Sequence, residues 1–157
     1  MINHYSFWRC LALKTASVQR TIGRRCDKTT LMNEKDKQLM NGNCHCGAVK
    51  FTYKGRPAKL VDCNCSICRR LRPLWAHGPE GIISIDAASD ATPAYVWGDK
   101  GLAFHTCKTC GCTTHWKGLG DESPQNMAVN MALCDPATIR DIRVRRFDGA
   151  DTWAFLD

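Results

Sequence analysis

No run of apolar residues in this 157-residue chain approaches the ~20 that a membrane-spanning helix needs, which predicts a body that stays in water. No unit recurs at the period of a solenoid, and no secretory signal is clear. Nothing resembles a phosphate-cradling glycine loop or a Ser-His-Asp set, so neither nucleotide-phosphate chemistry nor serine hydrolysis has a motif to rest on. Acidic residues are missing from the start: Arg9, Lys14, Arg20, Arg24 and Arg25 all precede Asp27, the first carboxylate. With 44% hydrophobic and 24% charged residues, the composition is globular and neither disordered nor collagen-like.

The charge is lopsided. Residues 1–41 carry eight Lys/Arg against three Asp/Glu, and the remaining 116 carry fourteen against twelve. The net charge of +7 therefore belongs largely to the N-terminal arm, and no nucleic-acid partner and no membrane partner is expected for the rest. Residues 1–41 are read as a basic, disordered extension, or as the product of a start placed too early, since Met40 would open a compact chain. Their Arg-rich, Ser/Thr-rich composition also suits a mitochondrial transit peptide, although no strong amphipathic helix emerges. Residues 42–157 are expected to form one domain.

One residue type is abundant. Eleven cysteines is an odd number, and C-x-C pairs are awkward disulfide frameworks but good metal knuckles. Thiolates holding zinc in a reducing, cytoplasmic compartment are the expectation, with mitochondrial import by residues 1–41 as the alternative.

The signals along residues 43–157 are those of short strands. From Cys44 to Tyr53 the chain alternates, so Val49, Phe51 and Tyr53 are expected on one strand face and Cys44 and Cys46 on the other. Further strands are expected at 59–63, 74–77, 82–85, 94–97, 102–106, 127–133 and 142–147, separated by Gly and Pro. One helical turn is expected over 66–71, and another after Asp135, an acceptable N-cap ahead of Pro136. Many short strands at close spacing predict a mainly β domain of antiparallel strands with little helix.

The cysteines sort by spacing. Cys44 and Cys46 form a C-x-C. Cys107 and Cys110 form a C-x-x-C followed by Gly111, the shape of a metal knuckle. Together they supply four thiolates, enough for a closed tetrahedral zinc site that ties the start of the domain to its late middle. Cys63, Cys65 and Cys68 form a separate set of three, C-x-C-x-x-C. Three thiolates leave one position open on a zinc ion, and such a site suits a soft fourth ligand such as a substrate thiol. Arg69 and Arg70 follow directly; they are either carboxylate-binding groups for an anionic substrate or solvated surface arginines.

Three ordered motifs carry a resemblance: Gly42 to Val49, Cys63 to Arg70, and Phe104 to Gly111. Over about residues 40–157 the chain resembles the glutathione-dependent formaldehyde-activating enzyme family, to which centromere protein V also belongs. The resemblance implies a zinc-bound β-tent fold, related to that of a Rab-binding zinc protein, with two zinc ions per chain. It implies structural zinc at Cys44, Cys46, Cys107 and Cys110 and catalytic zinc at Cys63, Cys65 and Cys68, the same partition that spacing suggests. It further implies a carbon–sulfur lyase reaction in which glutathione joins, or leaves, formaldehyde. A thiol such as glutathione would bind the open position as thiolate, poised to attack or release a small aldehyde. Two other readings compete: a non-catalytic zinc-binding interaction module, and a thiol redox or zinc-handling protein.

The remaining candidates are weaker. Cys112 is read as a small buried side chain, the alternatives being a competing ligand or a nearby thiol. Cys134 is expected in the core, and Cys10 and Cys26 have no partner spacing. His45 is expected to point away from its flanking cysteines. His77, His105 and His115 are candidates for proton transfer near the zinc, each alone being equally at home as a structural residue. Trp75, Trp97 and Trp116 are expected in the core or in pocket walls.

Overall fold

The computed structural model describes residues 38–120 and 126–157. The expectations for residues 1–37, including Cys10 and Cys26, fall outside the described residues.

Among the described residues, ten strands, two short α-helices and one 3-10 turn make a mainly β fold of two sheets. The smaller sheet has the order β1-β2-β5, from β1 (Leu39–Asn43), β2 (Val49–Lys54) and β5 (Ile83–Ala87). The larger has seven strands. They are β3 (Leu60–Cys63), β4 (Trp75–Pro79), β6 (Ala94–Val96), β7 (Leu102–Thr106), β8 (Thr113–Gly118), β9 (Asn126–Asn130) and β10 (Val144–Phe147), in the order β10-β3-β4-β9-β8-β7-β6. Helix α1 (Cys68–Leu71) follows β3, and α2 (Pro136–Ile139) precedes β10. Asp135 caps α2 as expected, its Oδ1 accepting from the Ala137 N–H at 2.8 Å.

In β2 the alternation holds: Val49, Phe51 and Tyr53 are buried and their neighbours are not. With Met40, Ile83, Met127, Val129 and Met131, Phe51 and Tyr53 contribute to the core that sits where the two sheets meet, while Val49 packs with Cys44 and Cys107. The first strand begins at Leu39, inside the stretch assigned to the arm, and residue 42 lies in mid-strand. Met40 and Gly42 face inward there, opposite Tyr53 and Phe51, so burial of this edge draws the chain into the sheet three residues early.

Strand β8 is the element that sequence pattern does not reveal. Its residues Thr113, Thr114, His115 and Trp116 are all buried: Trp116 packs in the cluster around Trp75, and His115 stacks on His105. A strand covered on both faces loses the polar/apolar alternation that marks a half-buried one. Its polar groups are satisfied internally: Thr114 Oγ1 donates to the His105 carbonyl at 3.3 Å, and Asn130 Nδ2 donates to the Thr113 carbonyl at 3.0 Å.

One pairing departs from the antiparallel expectation. β10 runs parallel to β3, with Phe147 beside Cys63. The chain returns from β9 through α2 before entering β10, and a crossover of this kind is what parallel neighbours require. Parallel pairing brings the C-terminal ends of β3 and β10 to one edge, so the loops that follow both strands emerge together.

Candidate metal centre

Cys44 and Cys46 do not share a strand face, because β2 starts only at Val49. They sit in the turn between β1 and β2. The Gly47 N–H donates to the Cys44 carbonyl at 2.9 Å, and Gly47 takes φ 78°, a left-handed conformation that glycine adopts freely. Across from it, Cys107 to Gly111 repeats the device between β7 and β8: the Gly111 N–H donates to the Cys107 carbonyl at 2.8 Å, with φ 74°. Each knuckle curls backbone around its sulfurs because glycine ends the turn. Cys44 and Cys46 sulfurs lie 3.5 Å apart, and those of Cys46 and Cys107 3.6 Å apart. Four thiolates around a zinc ion at ~2.3 Å have edges of about 3.8 Å, and the sulfurs of Cys44, Cys46, Cys107 and Cys110 all fall within 4.8 Å of one another. Donor type and spacing fit a soft tetrahedral ion. One knuckle belongs to the small sheet and the other to the large, so this cluster joins the two.

The second group is built at the shared edge of β3 and β10. Cys63 ends β3, Cys65 lies in the turn beyond it and Cys68 opens α1. Only Cys63 is in the strand, so the three converge through the turn rather than through a common face. Their sulfurs also lie within 4.8 Å of one another. This group packs into an aromatic wall of Trp75, Trp116, Phe104 and Phe147. Within it the Trp75 Nε1–H donates to the Cys68 sulfur at 3.3 Å, and the Cys65 N–H to the Cys63 sulfur at 3.4 Å.

The electrostatics of both groups ask for a cation. A hydrogen bond with Cys68, followed by the N–H groups of Cys65 and Gly149, pulls the Cys63 thiol down to about 6. The same bond, with burial, pushes Cys68 up. Cys110 is drawn down to about 5, led by the Cys112 and Cys46 N–H groups. Cys44 is lowered as well, while Cys46 is raised by its neighbours, so each set mixes thiols that ionise readily with thiols held protonated, as crowded negative charge that a metal ion would relieve requires. Cysteine clusters of this kind can hold metal ions.

The structure sorts the other candidates. Arg69 and Arg70 are exposed beside the three-cysteine group, and Arg70 Nη1 donates to the Ser66 carbonyl at 2.5 Å. Arg72 faces Asp62 at 3.8 Å. His45 is exposed, as expected for a residue turned away from its neighbours. Cys112 is half-buried and packs against the four-cysteine cluster. Cys134 is buried in the core, its sulfur 3.9 Å from that of Met131. Among the described residues no histidine hydrogen-bonds a sulfur. His105 instead stacks on the buried His115, with ring centroids 4.4 Å apart, and its Nδ1 meets the Thr92 carbonyl at 3.0 Å. His77 sets its ring edge-on to Trp116 at 5.5 Å, against the aromatic wall. Trp97 is 76% exposed on the edge beside β6 and is neither core nor wall.

Sequence reasoning placed Trp75 only in the core or in a wall, and missed its N–H as a sulfur partner. It missed Asn64 and Gly149 altogether. The Asp148-Gly149 dipeptide is a turn signal, but nothing in it points to a cysteine 86 residues earlier in the chain.

A family model described as glutathione-dependent formaldehyde-activating enzyme matches residues 39–146. The chain belongs to that family. A Halomonas elongata protein whose name places it in the same enzyme family is 34% identical over 77 residues, a stretch covering 48% of this chain and 45% of that protein. The match thus spans less than half of that curated relative. A crystal structure of a Rhodobacter sphaeroides protein superposes with a TM-score of 0.55 at 26% identity, covering 67% of this chain and 99% of that one. The matched region opens at Leu39, the first residue of β1. Both cysteine groups lie inside it as well. No helix among the described residues is long and apolar enough to cross a membrane.

Proposed function

We propose that this chain is a zinc-dependent enzyme of carbon–sulfur lyase type, acting on the adduct of glutathione and formaldehyde or on a related thiol–aldehyde adduct. The observation that carries the reading is the pairing of a closed four-cysteine cluster with a three-cysteine group set in an aromatic wall, in a chain of this family. Cys44, Cys46, Cys107 and Cys110 would hold a structural zinc; Cys63, Cys65 and Cys68 would hold a second. A zinc ion with three thiolate ligands supplies an open position for a soft sulfur and lowers the pKa of a thiol there.

In the forward direction a carbon–sulfur bond forms between the thiol sulfur and the carbonyl carbon, and the thiol proton ends on the oxygen as an alcohol; the reverse step releases both. The chain's own contribution is environment. Trp75, Phe104, Trp116 and Phe147 exclude water from one side of the group. The N–H donors on Cys63 and Cys68 spread the negative charge of the three sulfurs. Arg69 and Arg70, exposed beside the group, offer guanidinium charge to the carboxylates of glutathione. Of the three candidate histidines, His77 is the one whose ring packs on the wall, which makes it the proton carrier of choice. Nine free cysteines among the described residues suit a reducing compartment, and we place the protein in the cytoplasm. The catalytic domain would begin at Leu39.

The test pairs metal analysis with an assay on wild type and Cys65→Ser. Two zinc ions per wild-type chain, one per variant chain, and adduct formation above the spontaneous rate in wild type alone are expected. Two zinc ions without any acceleration would remove the formaldehyde reaction and leave a zinc-binding module.

A further inference from the structure

We propose that Gly149 is a positioning residue for the three-cysteine group, held there by a staple between the turn after β10 and Asn64, the residue between Cys63 and Cys65. The inference rests on the reading that Cys63, Cys65 and Cys68 hold a soft divalent ion.

The staple is explicit. Asn64 Nδ2 donates to Asp148 Oδ1 at 2.8 Å, and the Ala150 N–H donates to Asn64 Oδ1 at 2.9 Å. Asp148 Oδ2 in turn accepts from the Thr152 N–H at 3.2 Å and from its hydroxyl at 2.8 Å. The Asn64 N–H donates to the Phe147 carbonyl at 3.1 Å, continuing the parallel ladder past the end of both strands. Three hydrogen bonds thus tie Asn64 to Phe147, Asp148 and Ala150, and two more brace the turn at 148–152 from within.

What this brings into place is the backbone of Gly149. A Cβ at this position would stand 2.7 Å from the Cys63 sulfur, 3.1 Å from Cys65 Cβ and 3.6 Å from the Phe147 ring. Carbon and sulfur in contact sit more than half an ångström farther apart than the first of these, so any side chain here displaces Cys63 or lifts the turn. Gly149 therefore does two things at once: it leaves room for the sulfur, and its backbone, held by the staple, bounds where that sulfur can point. Groups that orient a ligand from behind are worth about 10–100-fold in metal affinity.

Cobalt(II) makes the inference measurable, because thiolate-to-cobalt charge transfer reports the number and geometry of sulfur ligands. Full-length wild type, Gly149→Ala, Asn64→Ala and Cys65→Ser are loaded with cobalt and challenged with a chromophoric chelator. Wild type is expected to hold two ions. Gly149→Ala should keep the four-cysteine ion and lose the other about tenfold or more readily, with a weaker charge-transfer band per bound cobalt. Asn64→Ala, an exposed change that removes two side-chain hydrogen bonds to the turn, should weaken the same ion by about threefold or more. Second-site affinity and band intensity equal to wild type in Gly149→Ala would overturn the proposal, as would a fall in thermal stability alone. If Gly149→Ala does not fold, Asn64→Ala decides: unchanged retention of the second ion overturns it. Failure of the underlying reading looks different, since wild type and Cys65→Ser would then hold the same number of ions.

Discussion

His115 is an imidazole buried to 2% exposure, stacked on His105 and sharing a hydrogen bond of 2.9 Å with Thr114 Oγ1. Burial, then the charges of His105 and Lys117, push its pKa from 6.5 down to about 3. Between these values the unfolded chain binds a proton that the folded chain refuses. The stability His115 contributes is thus complete above pH 6.5 and is lost as pH falls from there toward 3. His115→Gln removes that titration while keeping a polar side chain of similar reach. Denaturation midpoints measured in steps across this window should fall less steeply for the variant than for wild type; equal slopes would show that the ring does not titrate as its burial demands. At this scale the seven clustered cysteines were legible from the sequence, because thiolate chemistry and short spacing announce themselves. His115 was visible only as a histidine, and the Trp75 N–H only as part of a tryptophan, because burial and partner are set by residues far away in the chain.

Among the elements, β2 was the most readable and also bears the most weight. Phe51 is 2% exposed, pairs with Gly42 on one side and Ile85 on the other, and joins the core between the sheets. Truncating it leaves a cavity that short strands on either side cannot close. Phe51→Ala should cost about 3–5 kcal/mol by chemical denaturation, against about 0.5 kcal/mol or less for Trp97→Ala on the exposed edge. A small loss at Phe51 would mean that the small sheet is held by something other than this core. Strands β3, β4, β5, β6, β7, β9 and β10 and both helical turns were foreseen within a few residues, except that the strand expected over 127–133 ends at Asn130 and turns as a 3-10 helix at Met131–Leu133. β1 was missed because its core-facing positions include a glycine, and β8 because a central strand need not alternate.

For the whole molecule, the four-cysteine cluster lies between a three-stranded and a seven-stranded sheet, and an ion held there would cross-link them. The three-cysteine group sits at one edge of the larger sheet, so its loss leaves both sheets joined. Cys44→Ser should therefore lower the melting temperature far more than Cys65→Ser does, and a strong chelator should act on wild type as Cys44→Ser does, loosening amides of β1, β2 and the Cys107–Gly111 turn first in hydrogen exchange. Equal melting temperatures for the two variants would assign the structural role wrongly.

The residues alone gave the grouping of the cysteines: which belong together, that a mainly β fold carries them, and that one set has four sulfurs and the other three. Those properties are local, since ligand spacing and strand alternation act over a handful of residues. What surrounds the three-cysteine set was settled only by the tertiary fold. The parallel return of β10 beside β3 places a turn 86 residues downstream against Cys63, and an aromatic wall assembled from β4, β7, β8 and β10 behind it. No short-range pattern encodes such a meeting, because it depends on which strand edges remain to be paired once the rest of the sheet has formed.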